Sequence, residues 1–266
     1  MQNIIKEQIR KKVTRSGNGG AVWVPKDWLG EEIIITRIET PKLSIEEEII
    51  NILLPNLEKV IAIFLYGSYA RNEQTKNSDI DVLVIVKEKF KIDSAKRLDV
   101  SLLALSEAKK AVHENPFIYS IIKESKAIIN DYLLDELRKG NNDFRIFIKW
   151  YAKTSLDNIN SSKELIELDR MESEYLSSYS VIYSTMLRLR GIFLINLVLE
   201  NKEFSNLTFK RYMAKFISES EYKKIYNIYR DVRDNRKCIE KIQINLACRL
   251  LDVLQNESDK HAKQGK

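Results

Sequence analysis

The hydrophobic pattern divides the chain into three parts. In the middle part, short apolar runs are bounded by turn residues, which is typical of buried strands. From Asn141 onward, apolar residues instead recur at three- and four-residue spacing, which predicts helices. The pattern predicts an α+β protein, in which a small β appendage precedes a mixed sheet with flanking helices and then an all-α up-and-down bundle. The predicted domains are residues 1–40, 41–140 and 141–256, followed by a disordered polar tail at 257–266.

The middle part predicts helices and strands in alternation. Ser44 begins a helix through a capping box with Glu47, and Pro55 bends or ends it. Residues 60–66 and 79–84 are predicted strands joined by a short turn, and the resulting sheet is expected to have one covered face. The remaining predicted elements are a third strand from Asp99, a helix at 106–113, a fourth strand at 117–123 and a helix at 127–138 that ends at Gly140.

Two aspartates interrupt the second predicted strand. Because side chains alternate along a strand, Asp79 and Asp81 are predicted to lie on one face. Burying two carboxylates in an apolar strand is costly unless a cation joins them, and hard oxygen ligands suit magnesium. Gly67, after the first strand, allows the backbone to approach a ligand, and Ser68 stands where a short helix can begin and hold a phosphate. These residues together indicate phosphoryl or nucleotidyl transfer.

A simpler interpretation treats the same aspartates as surface residues. Residues 77–79 are turn formers, and an ordinary edge strand could follow them. The run 82–86 is too apolar for an edge strand, and the Gly67-Ser68 pair is a second, independent signal. The interpretation as a catalytic site is therefore favoured.

The spacing of these four residues resembles the DNA polymerase β-type nucleotidyltransferase superfamily. Gly67-Ser68, ten further residues and then Asp79-x-Asp81 are closest to the minimal nucleotidyltransferases, which include the AMP-transferring antitoxins of toxin–antitoxin pairs, and are also similar to the aminoglycoside-type enzymes. The resemblance covers about residues 43–140.

The resemblance implies an enzyme that uses ATP and Mg²⁺, with two ions as one arrangement. Members carry a third carboxylate between apolar residues on a neighbouring strand, and Leu98-Asp99-Val100 fits that context. Asp99 would share a second ion with Asp81 or deprotonate the acceptor hydroxyl. The implied catalytic and metal-binding residues are Asp79, Asp81 and Asp99, and the implied nucleotide-binding residues are Gly67, Ser68 and Arg71.

The implied reaction transfers NMP, expected to be AMP, to a hydroxyl acceptor and releases pyrophosphate. Three alternatives stay open for the partner. The acceptor is a protein hydroxyl, as in toxin–antitoxin adenylyltransferases, or a small-molecule alcohol, as in aminoglycoside-type enzymes. The third alternative is a non-catalytic DNA-binding regulator, against which the set of three clustered carboxylates argues.

The N-terminal part predicts short strands at 13–15, 21–24 and 32–37 and a helical turn at 26–30. So few strands cannot form an independent core. The runs Ser16-Gly17-Asn18 and Val22-Trp23-Val24-Pro25 resemble one half of an AbrB/MazE-type barrel, which implies a homodimer through residues 1–40 or docking on another surface. DNA is a weaker candidate partner, through the basic residues Arg10, Lys11, Lys12 and Arg15.

The C-terminal part predicts five helices, at 144–159, 172–199, 209–219, 221–237 and 239–255. It resembles the HEPN-like helical domain that accompanies such nucleotidyltransferases. HEPN ribonucleases carry a histidine several residues after an arginine-polar pair, and none follows Arg230-Asp231 within residues 232–237. The two histidines of the chain are His113, in the middle part, and His261, in the tail. We therefore expect a bundle that completes a substrate cleft and does not cleave RNA. The cluster Arg230, Arg233 and Arg236 is interpreted as a solvated face paired with Asp231 and Asp234.

Composition agrees with a nucleotide-using protein but does not require one. The 44 basic and 38 acidic residues give a net charge of +6, spread along the chain. Cys238 and Cys248 are interpreted as reduced residues of a helical segment, which indicates the cytoplasm. Residues 1–15 lack the apolar core of a signal peptide, and no uninterrupted apolar run reaches the roughly 20 residues of a membrane span.

Overall fold

The structure is a computed structural model that describes residues 7, 9–36, 43–75, 78–92 and 97–263. The chain divides into two compact units, Met1–Leu43 and Ser44–Lys266. The first boundary therefore lies between Leu43 and Ser44 and not at residue 40. The predicted boundary at residue 140 separates no further unit, because the sheet and the following helices belong to one compact unit.

The N-terminal unit holds a short antiparallel hairpin. Strands β1 (Thr14–Ser16) and β2 (Gly19–Ala21) pair across a turn at Gly17, and a 3₁₀ helix follows at Lys26–Trp28. The predicted strand at 21–24 is wrong beyond Ala21, and residues 32–36 form no strand. Arg37, the end of that prediction, lies outside the described residues. Several apolar side chains of the unit are exposed, namely Val13, Trp23, Leu29, Ile34 and Ile35.

The second unit contains a four-stranded mixed sheet. Its strands are β3 (Val60–Tyr66), β4 (Ile80–Val86), β5 (Leu98–Ala104) and β6 (Lys126–Ile129), in the order β5-β4-β3-β6. The β4–β5 pair is parallel, whereas β3 is antiparallel to both of its neighbours. The predicted strands at 60–66, at 79–84 and from Asp99 are confirmed, although the second runs from Ile80 to Val86 and the third begins at Leu98.

Helices cover both faces of this sheet, so the prediction of one covered face is wrong. Helix α1 (Ile45–Leu53) begins with the predicted capping box and packs Ile49 and Leu53 against one face. Helix α3 (Leu105–Glu114) packs against the other face. Two further helices, Pro116–Glu124 and Asp131–Leu137, pack against the same face. The continuous apolar character of β3 and β4 follows from this double burial. The four-residue helix α2 (Gly67–Ala70) lies directly after β3.

The predicted fourth strand at 117–123 is instead helix α4 (Pro116–Glu124). The Asn115 side chain accepts the Phe117 N–H, and proline occupies the first turn, so this segment begins as a capped helix. The isoleucines of this segment favour a strand by local propensity, but its packing in the tertiary structure stabilises a helix. The predicted helix at 127–138 is divided: β6 comes first, Asn130 adopts a left-handed conformation, and α5 (Asp131–Leu137) follows.

The C-terminal part contains the predicted five helices with different bounds. Cys238 lies in the connection before the last helix, not in a helix as predicted, and Cys248 lies in the last helix; both are free thiols. Two members of the arginine cluster pair as interpreted, because Arg233 contacts Asp234 and Arg236 contacts Asp231 and Asp234. The helices are α6 (Arg145–Glu172), α7 (Ser180–Leu199), α8 (Asn206–Met213), α9 (Glu219–Arg233) and α10 (Ile244–Lys263).

Helix α7 lies at the centre of the bundle. Among the described residues it is the one helix that is long and apolar enough to cross a membrane by length and composition. Half of its most apolar window is buried against other helices, and its buried residues belong to the core that α6, α9 and α10 share. Buried core helices of globular folds pass the same test.

Helix α10 corrects the prediction of a disordered tail. It continues to Lys263, and Glu257, Ser258 and His261 are buried on it. Glu257 faces Tyr212, whose pKa is raised by burial and by that carboxylate. The C-terminal turns of this helix therefore pack against α8.

Removal of residues 257–266 is expected to lower the free energy of unfolding by about 1–3 kcal/mol, because it exposes the surface against which the end of α10 packs. Thermal or urea unfolding would measure it. The control is removal of residues 264–266, which lie outside the described residues. An unchanged midpoint for the longer deletion would contradict this prediction.

Candidate active site

A cavity of about 680 Å³ lies between the sheet and the helical bundle. Tyr66, Gly67 and Asp81 line one end, at the point where β3 ends and β4 begins. Helices α4, α6 and α7 form the remaining walls. The cavity therefore brings the predicted catalytic end of the sheet into contact with the bundle.

Strand register places two of the predicted aspartates side by side. Asp81 is the partner of Asp99 in the parallel β4–β5 pair, and of Tyr66 in the antiparallel β3–β4 pair. Because paired residues share a face, both carboxylates lie on the side of the sheet that α3, α4 and α5 cover. The sequence predicted this proximity of Asp81 and Asp99, and the register confirms it.

The carboxyl group of Asp81 is electrostatically unfavourable as an anion. Burial raises its pKa to about 6, and the nearby carboxylates of Asp99 and Asp79 add to the rise. The guanidinium of Arg71 opposes it. These carboxylates repel one another, and a divalent cation that binds their oxygens would reduce the repulsion.

Gly67 allows the backbone to reach Asp81. It is buried with φ +70°, and a Cβ added to it would collide with the Asp81 carboxylate. Its N–H donates to Oε1 of Glu124 at 2.9 Å. Glu124, at the end of α4, therefore accepts the hydrogen bond of the backbone N–H that we expected to bind a phosphate.

Arg71 is held between two carboxylates. Its Nη1 donates to Glu124 at 2.7 Å and its Nε to Glu73 at 3.1 Å. Glu73 in turn accepts from Asn206 at the start of α8, through the backbone N–H at 3.3 Å and the side-chain amide at 3.1 Å. This chain of contacts connects the turn after β3 to the bundle. The Arg71 and Glu124 side chains are 19% and 15% exposed.

The other predicted site residues lie differently from expectation. Asp79 directly precedes β4, which begins at Ile80, and it is exposed. Its carboxylate is still near enough to contribute to the raised pKa of Asp81. Ser68 is half-buried in α2 and does not line the cavity. Within the described part of the chain, no three Asp, Glu, His or Cys side chains lie close enough together to hold a metal ion.

Helices α4, α6 and α7 contribute arginine and aromatic side chains to the cavity. Arg188 and Arg190 of α7 line it, with Phe117 of α4 and three neighbouring aromatic residues of α6. Arg188 lies over the Tyr151 ring and Arg190 over the Phe204 ring, each with its guanidinium carbon about 5 Å from the ring centre. The α6 residues are Phe147, Trp150 and Tyr151.

Sequence reasoning missed Glu124 and the arginines of α7. Glu124 was hidden by the wrong assignment of its helix to a strand. One feature of the sequence could have indicated Arg188 and Arg190. Both lie near the middle of an otherwise apolar helix, where a charged side chain needs a polar partner or a cavity.

Residues 46–157 match the family described as Nucleotidyltransferase domain. A protein of Methanocaldococcus jannaschii, MJ1547, is 35% identical over 118 residues, which are 43% of this chain and 91% of that protein. The chain belongs to the nucleotidyltransferase domain family. It is an enzyme of the nucleotidyltransferase class.

A second relative is similar to the same part of the chain. MJ0126 of the same organism is 39% identical over 72 residues, or 25% of this chain and 72% of that protein. Both M. jannaschii proteins carry the provisional name protein adenylyltransferase. Among solved structures, spectinomycin adenyltransferase AAD(9) from Enterococcus faecialis aligns with 80% of this chain and 97% of its own, at 15% identity and a TM-score of 0.43.

Proposed function

We propose that this nucleotidyltransferase transfers AMP from ATP to a hydroxyl group of a partner protein and releases pyrophosphate. The observation that carries the proposal is the position of Asp81, which lies against Gly67 at the end of the cavity and beside Asp99 in strand register. The relatives named as protein adenylyltransferases support a protein acceptor. A toxin–antitoxin pair is one setting for such an acceptor.

Asp81 and Asp99, which are paired in register, would hold Mg²⁺ together with oxygens of the triphosphate. Asp79 would have to move closer to join them, because no three such side chains of the described chain lie close enough together to hold an ion. The oxygen donors and the raised pKa of Asp81 fit a hard divalent cation. When bound, such an ion neutralises the charge of the triphosphate. Gly67, Ser68 and Arg71 would bind the phosphates, for which Glu124 must release the Gly67 N–H. Asp99, exposed at the start of β5, would orient and deprotonate the acceptor hydroxyl.

A small-molecule acceptor is the second candidate, and the cavity favours it. The space of about 680 Å³ is within the range of small-ligand pockets, and the bundle supplies one wall of it. In either case the helical half completes the cleft. This role agrees with a HEPN-like bundle that lacks the histidine of a ribonuclease.

Incubation of the pure protein with α-³²P-labelled ATP, Mg²⁺ and candidate acceptors tests the proposal. Label on a co-purified or genomically adjacent protein supports the first candidate, and label on a small alcohol supports the second. If no acceptor is labelled and ATP does not bind in the presence of Mg²⁺, the proposal fails. Retention of a DNA fragment would then favour the regulator.

Replacement of Arg71 by glutamine is expected to raise the KM for ATP about tenfold, because one charge-assisted contact to phosphate is lost. It should also lower the free energy of unfolding, since Glu73 and Glu124 lose their shared cation. Steady-state kinetics and urea unfolding measure the two effects. In the double variant Arg71→Gln, Glu124→Gln, stability should recover while the KM stays high. An unchanged KM in the single variant would show that Arg71 has a structural role alone.

For the N-terminal unit we infer pairing with a second copy of the chain, as in AbrB-like halves. Its exposed Trp23 and Leu29, at 76% and 75%, support this proposal. DNA binding through the exposed Arg10 and Arg15 is the weaker alternative. Light scattering of the protein and of a Trp23→Ser variant would test pairing, because a monomer in both would exclude it.

A further inference from the structure

The charges on the two sides of the cavity differ in sign. Among the described lining residues, the carboxylates are Asp81 and Glu124, and both come from the sheet side. Glu124 is already paired with Arg71. Within the described part of the lining, the helices of the bundle contribute Arg188 and Arg190 and no carboxylate. The bundle side of the cavity is therefore positive.

The two arginines occupy different ends of the cavity. Arg190 and Arg71 lie over the same Phe204 ring, so Arg190 belongs to the α2 end, near the nucleotide residues. Arg188 lies over Tyr151, and its Nη1 donates to Thr154 at 2.9 Å. Within the described part of the chain, Arg188 has no ion pair with a carboxylate.

The wall around Arg188 is aromatic. The Phe117 ring packs edge-on against those of Phe147 and Tyr151, with centroids 5.2 Å apart in each pair. Trp150 lies beside Phe147 and is half-exposed at the cavity wall. A flat ring fits such a wall, and a guanidinium whose charge no carboxylate neutralises attracts an anion.

From this arrangement we propose that Arg188 selects an acceptor that carries a hydroxyl and a negative charge on one planar or apolar body. This inference rests on the proposed transfer reaction and defines its substrate class. A polycationic acceptor needs carboxylates on the bundle side of the cavity, and the described lining residues offer none there. The acceptor class is therefore anionic, whether the hydroxyl belongs to a small molecule or to a tyrosine between acidic residues.

Calorimetric titration with three matched phenols tests the charge preference. The probes are 4-hydroxyphenylacetate, its neutral amide and cationic tyramine, each added to the full chain with Mg²⁺ and a non-hydrolysable ATP analogue. The anion is expected to bind at least about tenfold more tightly than the cation, as one charge-assisted contact provides. Equal binding, tighter binding of tyramine, or no binding of any phenol would overturn the proposal.

Variants distinguish charge selection from a structural role. Arg188→Gln is expected to bring the anion-to-cation ratio of dissociation constants to within about threefold, whereas Arg188→Lys should keep most of it. A merely structural role would weaken all three probes and leave the ratio unchanged. The control is Arg170→Gln on α6, which removes a guanidinium paired with Glu167 on the surface and should change nothing.

Two peptides separate the sources of the acceptor. Glu-Tyr-Glu and Lys-Tyr-Lys, with blocked termini, are titrated in the same way. Preference for the acidic peptide indicates a protein acceptor, and preference confined to the free phenol acid indicates a small molecule; both support anion selection. Because the readout is binding, failure here leaves AMP transfer standing, and failure of transfer leaves the charge preference measurable.

Discussion

Replacement of Asp81 by asparagine is expected to lower transfer of labelled AMP at least about 100-fold, the usual effect of removing one group that stabilises transition-state charge. Asp81 lies beside Asp99 in register and against Gly67, at the end of the cavity. Asparagine keeps the shape of the side chain but cannot hold a cation as a carboxylate does. The measurement is the initial rate with saturating ATP and Mg²⁺.

A second carboxylate provides the control for this variant. Asp135 lies on α5 in the same unit, is 64% exposed and contacts Arg138 on the surface. Asp135→Asn should keep the full transfer rate while it removes the same single charge. Full activity of Asp81→Asn would show that the carboxylate site is assigned to the wrong residues.

The same substitution is expected to stabilise the metal-free protein above pH 6. A carboxyl group whose pKa is raised on folding lowers stability when it is ionised. This cost is complete above the folded pKa, decreases as pH falls below it and is absent below the ordinary pKa of 3.8. The pKa of Asp81 is raised to about 6. The gain in unfolding free energy from Asp81→Asn should therefore be larger at pH 8 than at pH 5, as urea unfolding in the presence of a chelator would measure.

The fold was predictable where local signals and tertiary packing agree. Strand β3 and helix α1 follow from an apolar run and a capping box, and both are as predicted. Helix α4 was missed because its isoleucines favour strands, although the Asn115-Pro116 pair is a helix start signal. The end of α10 was missed because buried polar residues such as Ser258 look like a solvated tail in the sequence.

The candidate site was predictable as far as strand geometry determines it. Alternation and register brought Asp81 beside Asp99, and a glycine was needed next to them. Glu124 and Arg188 reach the cavity from helices far along the chain, and no local pattern encodes that meeting. The residues on the bundle side of the cavity are therefore determined by how the bundle packs against the sheet, which the sequence pattern does not show.

Replacement of Gly67 by alanine is expected to abolish transfer and to destabilise the unit. At φ +70° a side chain costs about 1–2 kcal/mol, because its Cβ approaches the next carbonyl. At this position the new Cβ would also collide with the Asp81 carboxylate and displace it from Asp99. Transfer rate, ATP binding and urea unfolding are the measurements, and both the rate and the free energy of unfolding should fall.

A variant at Gly17 distinguishes the effect of backbone strain from the effect of the collision with Asp81. It also has a positive φ, +55°, but nothing lies within 4 Å of a Cβ built on it. Gly17→Ala in the β1–β2 turn should therefore carry the same conformational cost and leave AMP transfer unchanged. If Gly67→Ala kept wild-type transfer while Gly17→Ala also did, the close approach of Gly67 to Asp81 would have no part in catalysis. The site would then have to be built on other residues.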